Sequence, residues 1–197
     1  MVSMSDLERV TGLVLRTYAS GDSDLVLRIL TKEHGKISAI AKHTRSTRKT
    51  SASTLDLFDC GEFELRQGRA QLKVVKSFSP STTMHHLREG LDVLSLASVA
   101  CEVADLLHIE EGGPAEHALE TAISGLKGMS ALQPLRANCA ILFKTVAELL
   151  SDAGFLDPAE LGRGSRDGLV TLLRTVESCS ERQLNSRLQL EEVLKRL

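Results

Sequence analysis

The sequence predicts an α+β protein, with a five-stranded β-barrel over residues 1–80 followed by an all-helical domain over residues 81–197. Three observations predict it. Up to Ser79, apolar residues alternate in short segments broken by turn residues. After Pro80 they recur at spacings of three and four. Pro80 itself stands where one pattern gives way to the other.

The strands follow in order. Residues 12–18 form the first, ending in the turn Ala19-Ser20-Gly21-Asp22-Ser23. Leu25, Leu27 and Ile29 then alternate with Val26, Arg28 and Leu30, a nearly continuous apolar run expected of a strand covered on most sides. After Lys32-Glu33-His34-Gly35, residues 36–42 set Ile37, Ala39 and Ala41 on one face and Ile40 on the other. Residues 43–54 are polar with almost nothing to bury, which predicts a long loop. Residues 55–67 carry Phe63 and Leu65 on one face, and residues 70–78 carry Leu72, Val74 and Phe78 on one face, with the Gly68-Arg69 turn between them. Five short strands with the largest loop between the third and fourth predict a closed barrel of the OB type. Closure removes exposed sheet edges.

The helical half begins with Met84, Leu87, Leu91 and Leu94, continued by Leu96, Val99, Val103, Leu106 and Leu107, one long helix ending before Gly112-Gly113-Pro114. Residues 115–128 form a second helix through Leu119, Ile123 and Leu126. Pro134 opens a third through Leu135, Cys139, Leu142, Val146 and Leu150, which stops near Gly154. Leu169, Leu172, Leu173 and Val176 mark a fourth, and Ser180 with Gln183 resembles a capping box for a last helix bearing Leu184, Leu188, Val193, Leu194 and Leu197.

The formal net charge is −2, but it is unevenly spread. Residues 1–80 hold 13 Lys/Arg against 9 Asp/Glu, and residues 81–197 hold 11 against 17. Opposite electrostatic characters suit a division of labour between the halves. Cys60, Cys101, Cys139 and Cys179 include no closely spaced pair, so no zinc site and no other metal centre is legible, and all four read as small core residues. With no secretory h-region and no long apolar run, the chain is expected to be cytoplasmic, with reduced thiols and no membrane contact.

No catalytic constellation stands out. Thr47-Arg48-Lys49-Thr50 lacks the glycines of a phosphate loop, and Gly162-Arg163-Gly164 is too short for a dinucleotide fingerprint. His85-His86 has no Cys, Asp or Glu at a spacing that would complete a metal site, and Glu110-Glu111 and Glu191-Glu192 are adjacent acids that diverge on a helix. Neither an enzyme nor a cofactor is expected.

The informative segment runs from Gly35 to Leu55. It contains Lys36, Lys42, Arg45, Arg48 and Lys49 and no acid, with His34 and His43 beside it. Cations on a Ser/Thr-rich loop can follow a phosphate backbone, each neutralised phosphate releasing counterion. The charge pattern alone leaves open a solvated loop without a ligand. Only six aromatic residues exist, Tyr18 and five Phe, so any nucleic-acid contact should be mainly electrostatic, with Tyr18 or arginine planes as stacking surfaces.

The stretch from Thr11 to Lys49 resembles the N-terminal OB domain of the bacterial RecO family. The resemblance is carried by Gly12-Leu13-Val14-Leu15, by the turn from Thr31 through His34 to Gly35 and Lys36, and by Ala41-Lys42 before the basic loop. The Phe58 region, Gly68-Arg69, Phe78, Phe143 and the run from Leu150 to Gly154-Phe155 extend it to about residues 11–155. It implies a non-enzymatic protein of DNA repair and recombination. Such a protein binds single- and double-stranded DNA, anneals strands, and helps exchange single-strand-binding protein for RecA together with RecR.

Carried over by position, Lys36, Lys42, Arg45, Arg48 and Lys49 are the DNA-contact candidates, joined by Arg16 and Arg28. Arg136 and Lys144 are candidates for docking the acidic C-terminal tail of single-strand-binding protein. One departure is plain. The four-cysteine zinc module of many members should follow the Gly-Phe turn, whereas no cysteine lies between Phe155 and Cys179. The competing expectation is a protein-binding adaptor whose barrel is only a scaffold.

Overall fold

The computed structural model describes residues 7–42, 55–68, 72–157 and 165–196. They form two compact units, Met1–Thr83 with Ile109–Leu119, and Met84–His108 with Glu120–Leu197.

In the first unit, β1 (Leu7–Ser20), β2 (Asp24–Thr31), β3 (Gly35–Ala41), β4 (Cys60–Arg66) and β5 (Lys73–Thr82) close a barrel in the order β1-β2-β3-β5-β4. The expected OB-type barrel is therefore present. All pairings are antiparallel except β3 with β5, a short parallel contact at Ala39 and Ile40. Val10, Val14, Leu27, Ile29, Ile37, Ala39, Phe63, Leu65 and Val75 fill the interior, with Phe78 packed on Phe63 at 4.7 Å between ring centroids. Phe58 is also fully buried, at φ 75° in the turn that leads into β4, where its N–H donates to the Val14 carbonyl.

Two irregularities decide which side chains face outward. In β1 the register skips Leu15, so Val14 pairs with Ile29 while Arg16 pairs with Arg28. If Leu15 alternated as an ordinary paired residue, Arg16 and Tyr18 would turn to the side occupied by Val14. In β5 the register skips Lys76, so Phe78 and Val75, three apart, both face the core and Val74 faces out. The sequence had grouped Val74 with Leu72 and Phe78 by simple alternation, and the bulge is the physical reason that grouping fails.

A strap from Ile109 to Glu116 belongs to the same unit. Lys36 and Glu110 form a parallel bridge, the Glu111 N–H donates to the Lys36 carbonyl (2.8 Å), and the Ala115 N–H donates to the Lys32 carbonyl (3.0 Å). The strap thus runs beside the first half of β3, which β5 does not reach. Gly35, at φ 67°, is required there, because a Cβ on it would lie 2.7 Å from the Gly113 carbonyl oxygen.

The helices are α1 (Leu91–Leu107), α2 (Glu116–Gly128), α3 (Leu135–Asp152), α4 (Arg166–Ser180) and α5 (Arg187–Leu194). The single long first helix expected from Met84 onward is instead a 3-10 turn, His85–Arg88, then a break at the extended Gly90, then α1. Leu91 is consequently exposed at the start of α1. Within the second unit α1 packs against α3, α4 and α5, burying Leu96, Val99, Val103, Leu142, Val146, Leu149 and Val176. The last helix starts later than the sequence implied. Ser180 closes α4, its hydroxyl donating to the Val176 carbonyl, and α5 begins after Ser186. Its amino end is satisfied by the buried Glu102 of α1, which accepts from Asn185 N (2.8 Å), Asn185 Nδ2 (2.6 Å), Ser186 N (2.9 Å) and Ser186 Oγ (2.6 Å). Cys60, Cys101 and Cys139 are buried and Cys179 is half-buried.

Candidate nucleic-acid interface

The register lines up one row of side chains around the barrel exterior. Tyr18 lies opposite Val26, Val26 opposite Ile40, Ile40 opposite Val74, and Val74 opposite Arg66. None of the five is buried, and Tyr18 is 44% exposed. Apolar side chains on an outer barrel face find no core to enter, so they present a surface on which flat, uncharged groups can rest.

Cations frame that row. The Arg16 guanidinium sits 5.6 Å from the centroid of the Tyr18 ring, within cation–π range, which holds the ring's orientation. At the other end, Ile40, Lys42, Arg66, Gln67, Gly68, Leu72 and Val74 line an open groove of about 640 Å³. The Arg66 Nε is buried there with no hydrogen-bond partner among the described residues. A buried guanidinium donor without an acceptor is costly. Arg66 was missed in the sequence, where it reads as an ordinary strand-end cation.

The sequence-derived candidates divide into groups. Lys42 is exposed at the end of β3 and lines the groove. Arg45, Arg48 and Lys49 lie outside the described residues. Arg16 is on the outward face beside Tyr18. Arg28 lies opposite Arg16 and is held by Glu110, with Nη1 2.6 Å from Oε2. Lys36 is only 6% exposed and sits under the strap, so it offers little surface to a ligand. Glu64, the outward neighbour of Arg66 on β4, is taken up by Arg9 and Ser77.

One cluster stabilises the barrel without belonging to this face. Glu8 accepts from Lys73 Nζ (2.7 Å) and pairs with His34. Burial acts to raise its pKa, but the bonds and charges of Lys73 and His34 outweigh it and hold the carboxyl below its ordinary value.

In the helical unit, Arg136, Cys139, Ala140 and Phe143 of α3 with Ser165, Arg166 and Leu169 line a cavity of about 440 Å³. Burial, reinforced by Asp92, pushes the Cys139 thiol up to about 11, so it enters the cavity as a neutral group. Arg136 is where the sequence placed a partner contact, and Arg166 joins it unforeseen. Lys144 does not line the cavity and instead pairs with Glu148 at 3.7 Å on its own helix.

Residues 4–84 match the family model for the N-terminal domain of recombination protein O. Over the barrel, the chain is similar to the RecO family. Curated RecO relatives extend the likeness into the helices. A DNA repair protein RecO of Desulfitobacterium hafniense (strain Y51) is 28% identical over 151 residues, covering 77% of this chain and 55% of the relative. One from Syntrophus aciditrophicus is 34% identical over 104 residues, 52% of this chain and 40% of the relative. One from Alkaliphilus metalliredigens is 36% identical over 106 residues, 54% and 42% of the two chains. The chain thus spans about half the length of the RecO relatives it matches.

Proposed function

We propose that the protein is a non-catalytic, DNA-binding mediator of recombination in DNA repair. The observation that carries this reading is the outward run of Tyr18, Val26 and Ile40 across β1, β2 and β3, an apolar platform with Arg16 beside Tyr18 and Lys42 two residues beyond Ile40. Bases stack or rest on such a platform while the cations take phosphates, and OB barrels use the same side of the sheet for oligonucleotides. The basic residues Arg45, Arg48 and Lys49 follow Lys42 in the chain and add to the same pool of charge. The relatives' printed name, DNA repair protein RecO, supports the same reading.

On this reading the barrel binds single-stranded and, through its phosphates, double-stranded DNA, and holds strands for annealing. The helical cavity serves the second task, exchange of single-strand-binding protein for RecA together with RecR. Arg136 and Arg166 flank an opening with Phe143 and Leu169, which suits the acidic, apolar C-terminal tail of single-strand-binding protein.

Anisotropy of a labelled thymidine oligomer between about 50 and about 200 mM salt tests the proposal. Affinity should fall linearly on a log–log plot, and Lys42→Ala and Arg66→Ala should each weaken binding and flatten the slope by about 0.7. Arg45→Ala, Arg48→Ala and Lys49→Ala should behave alike, irrespective of oligomer sequence. Weak, salt-insensitive retention would leave the adaptor reading in its place.

A further inference from the structure

The same barrel carries an acidic segment laid against its own cations. Glu110 pairs with Arg28 at 2.6 Å, and Glu116 pairs with Lys32. Both acids are exposed, and Lys32 is half exposed. The backbone of the strap is fastened at three points, the Lys36–Glu110 bridge, the Glu111 N–H to the Lys36 carbonyl, and the Ala115 N–H to the Lys32 carbonyl. Its direction is set by two positive-φ positions, Glu111 at 54° and Gly113 at 97°. Carboxylates are thereby held at the positions beside Arg28 and Lys32 that phosphate oxygens of a bound strand would take.

Arg28 is directly opposite Arg16 on β1, one row along the barrel from Tyr18 and Val26. The strap therefore reaches the border of the proposed DNA face. Two like charges opposite each other repel, and Glu110 offsets that repulsion when no polyanion is present. Solvent-exposed ion pairs of this kind are weak and screened by salt. A polyanion brings many charges at once and can displace them.

We infer that the strap from Ile109 to Glu116 is an internal competitor for the polyanion, masking Arg28 and Lys32 until a nucleic acid displaces its two carboxylates. The inference rests on the DNA-binding reading above and adds to it a limit on affinity and the order in which cations engage. Lys42, exposed at the end of β3, engages first. Arg28 and Lys32 join only when Glu110 and Glu116 yield. Short or weakly charged ligands then leave the strap in place, and longer strands recruit the masked pair.

The test compares the intact chain with Glu110→Gln/Glu116→Gln, using a labelled thymidine oligomer over a salt series. Each unmasked cation should raise affinity about fivefold at about 0.1 M salt and steepen the log–log slope by about 0.7. A charge control, Glu89→Gln/Glu120→Gln, alters the net charge equally at two exposed acids outside the strap and should bind as the intact chain does. Arg28→Ala/Lys32→Ala should change the intact chain's affinity for a short oligomer by less than about twofold, yet cancel the gain when added to the unmasked variant, a coupling that simple charge addition does not produce. Should the double Gln variant misfold by thermal melting, the single Glu116→Gln variant tests the Lys32 half by the same readout. Equal affinity and slope in the unmasked variant and the charge control would overturn the strap while leaving DNA binding intact. No salt-dependent binding by any variant would overturn both readings together.

Discussion

Glu102 shows how much a single carboxylate can organise. It is 5% exposed and takes four hydrogen bonds from Asn185 and Ser186, so α5 is seated on α1 through one side chain. Burial acts to raise its pKa, but the bonds from Ser186 and Asn185 outweigh it and leave the carboxyl below the ordinary value of 4.5. A depressed folded pKa contributes stability above the unfolded value, and that contribution is lost as pH falls through the folded one. Glu102→Gln, which replaces an acceptor by a donor facing donors, should cost about 3 kcal/mol in urea unfolding at neutral pH. The deficit should narrow below pH 4.5, where the native carboxyl also protonates. None of this was legible in the sequence, where Glu102 is one acid in an apolar helix and its partners lie more than eighty positions on. The partnering of Arg28 by Glu110 was hidden for the same reason: sequence shows the charge of a residue, and only the fold shows what meets it. The run of cations after Gly35 was legible because the absence of acids is a local property.

Elements were legible where their pattern is regular and illegible where one residue breaks it. All five strands were found, yet the bulges at Leu15 and Lys76 determine that Arg16, Tyr18 and Val74 face outward, and neither bulge carries a glycine or proline to announce it. Deleting Leu15 should leave Tyr18 outward and open to a soluble quencher, because Arg16 then follows Val14 in strict alternation, while loss of the buried Leu15 side chain lowers the melting temperature. In the helices, Ser165 caps α4 by accepting from the Gly168 N–H at 3.0 Å, and Ser165→Ala should cost about 1 kcal/mol in the same unfolding assay. Gly125 on α2 permits a close approach to α3, since a Cβ there would lie 2.2 Å from Thr145 Oγ1. Gly125→Ala should therefore destabilise by about 2 kcal/mol despite alanine's better helix propensity. Adding Thr145→Ala should recover part of that loss, because it removes the two atoms that come closest.

At the scale of the whole molecule, an excess of base in the first 80 residues and of acid thereafter fits a barrel for polyanions and helices for proteins. The strap qualifies that division, because residues 109–119 belong to the barrel unit although they lie within the helical stretch of sequence. Acid from the second half is thus spent on neutralising cations of the first. The central claim is that nucleic acid lies along the outward row that starts at Tyr18. The chain supplies its own reporter, since Tyr18 is its one tyrosine and there is no tryptophan. Titrating the protein with a thymidine oligomer, corrected for absorbance by the DNA, should quench the intrinsic tyrosine emission saturably, in parallel with anisotropy, and added salt should restore it. Binding detected by anisotropy with no change in tyrosine emission would contradict the claim and move the nucleic acid off this face.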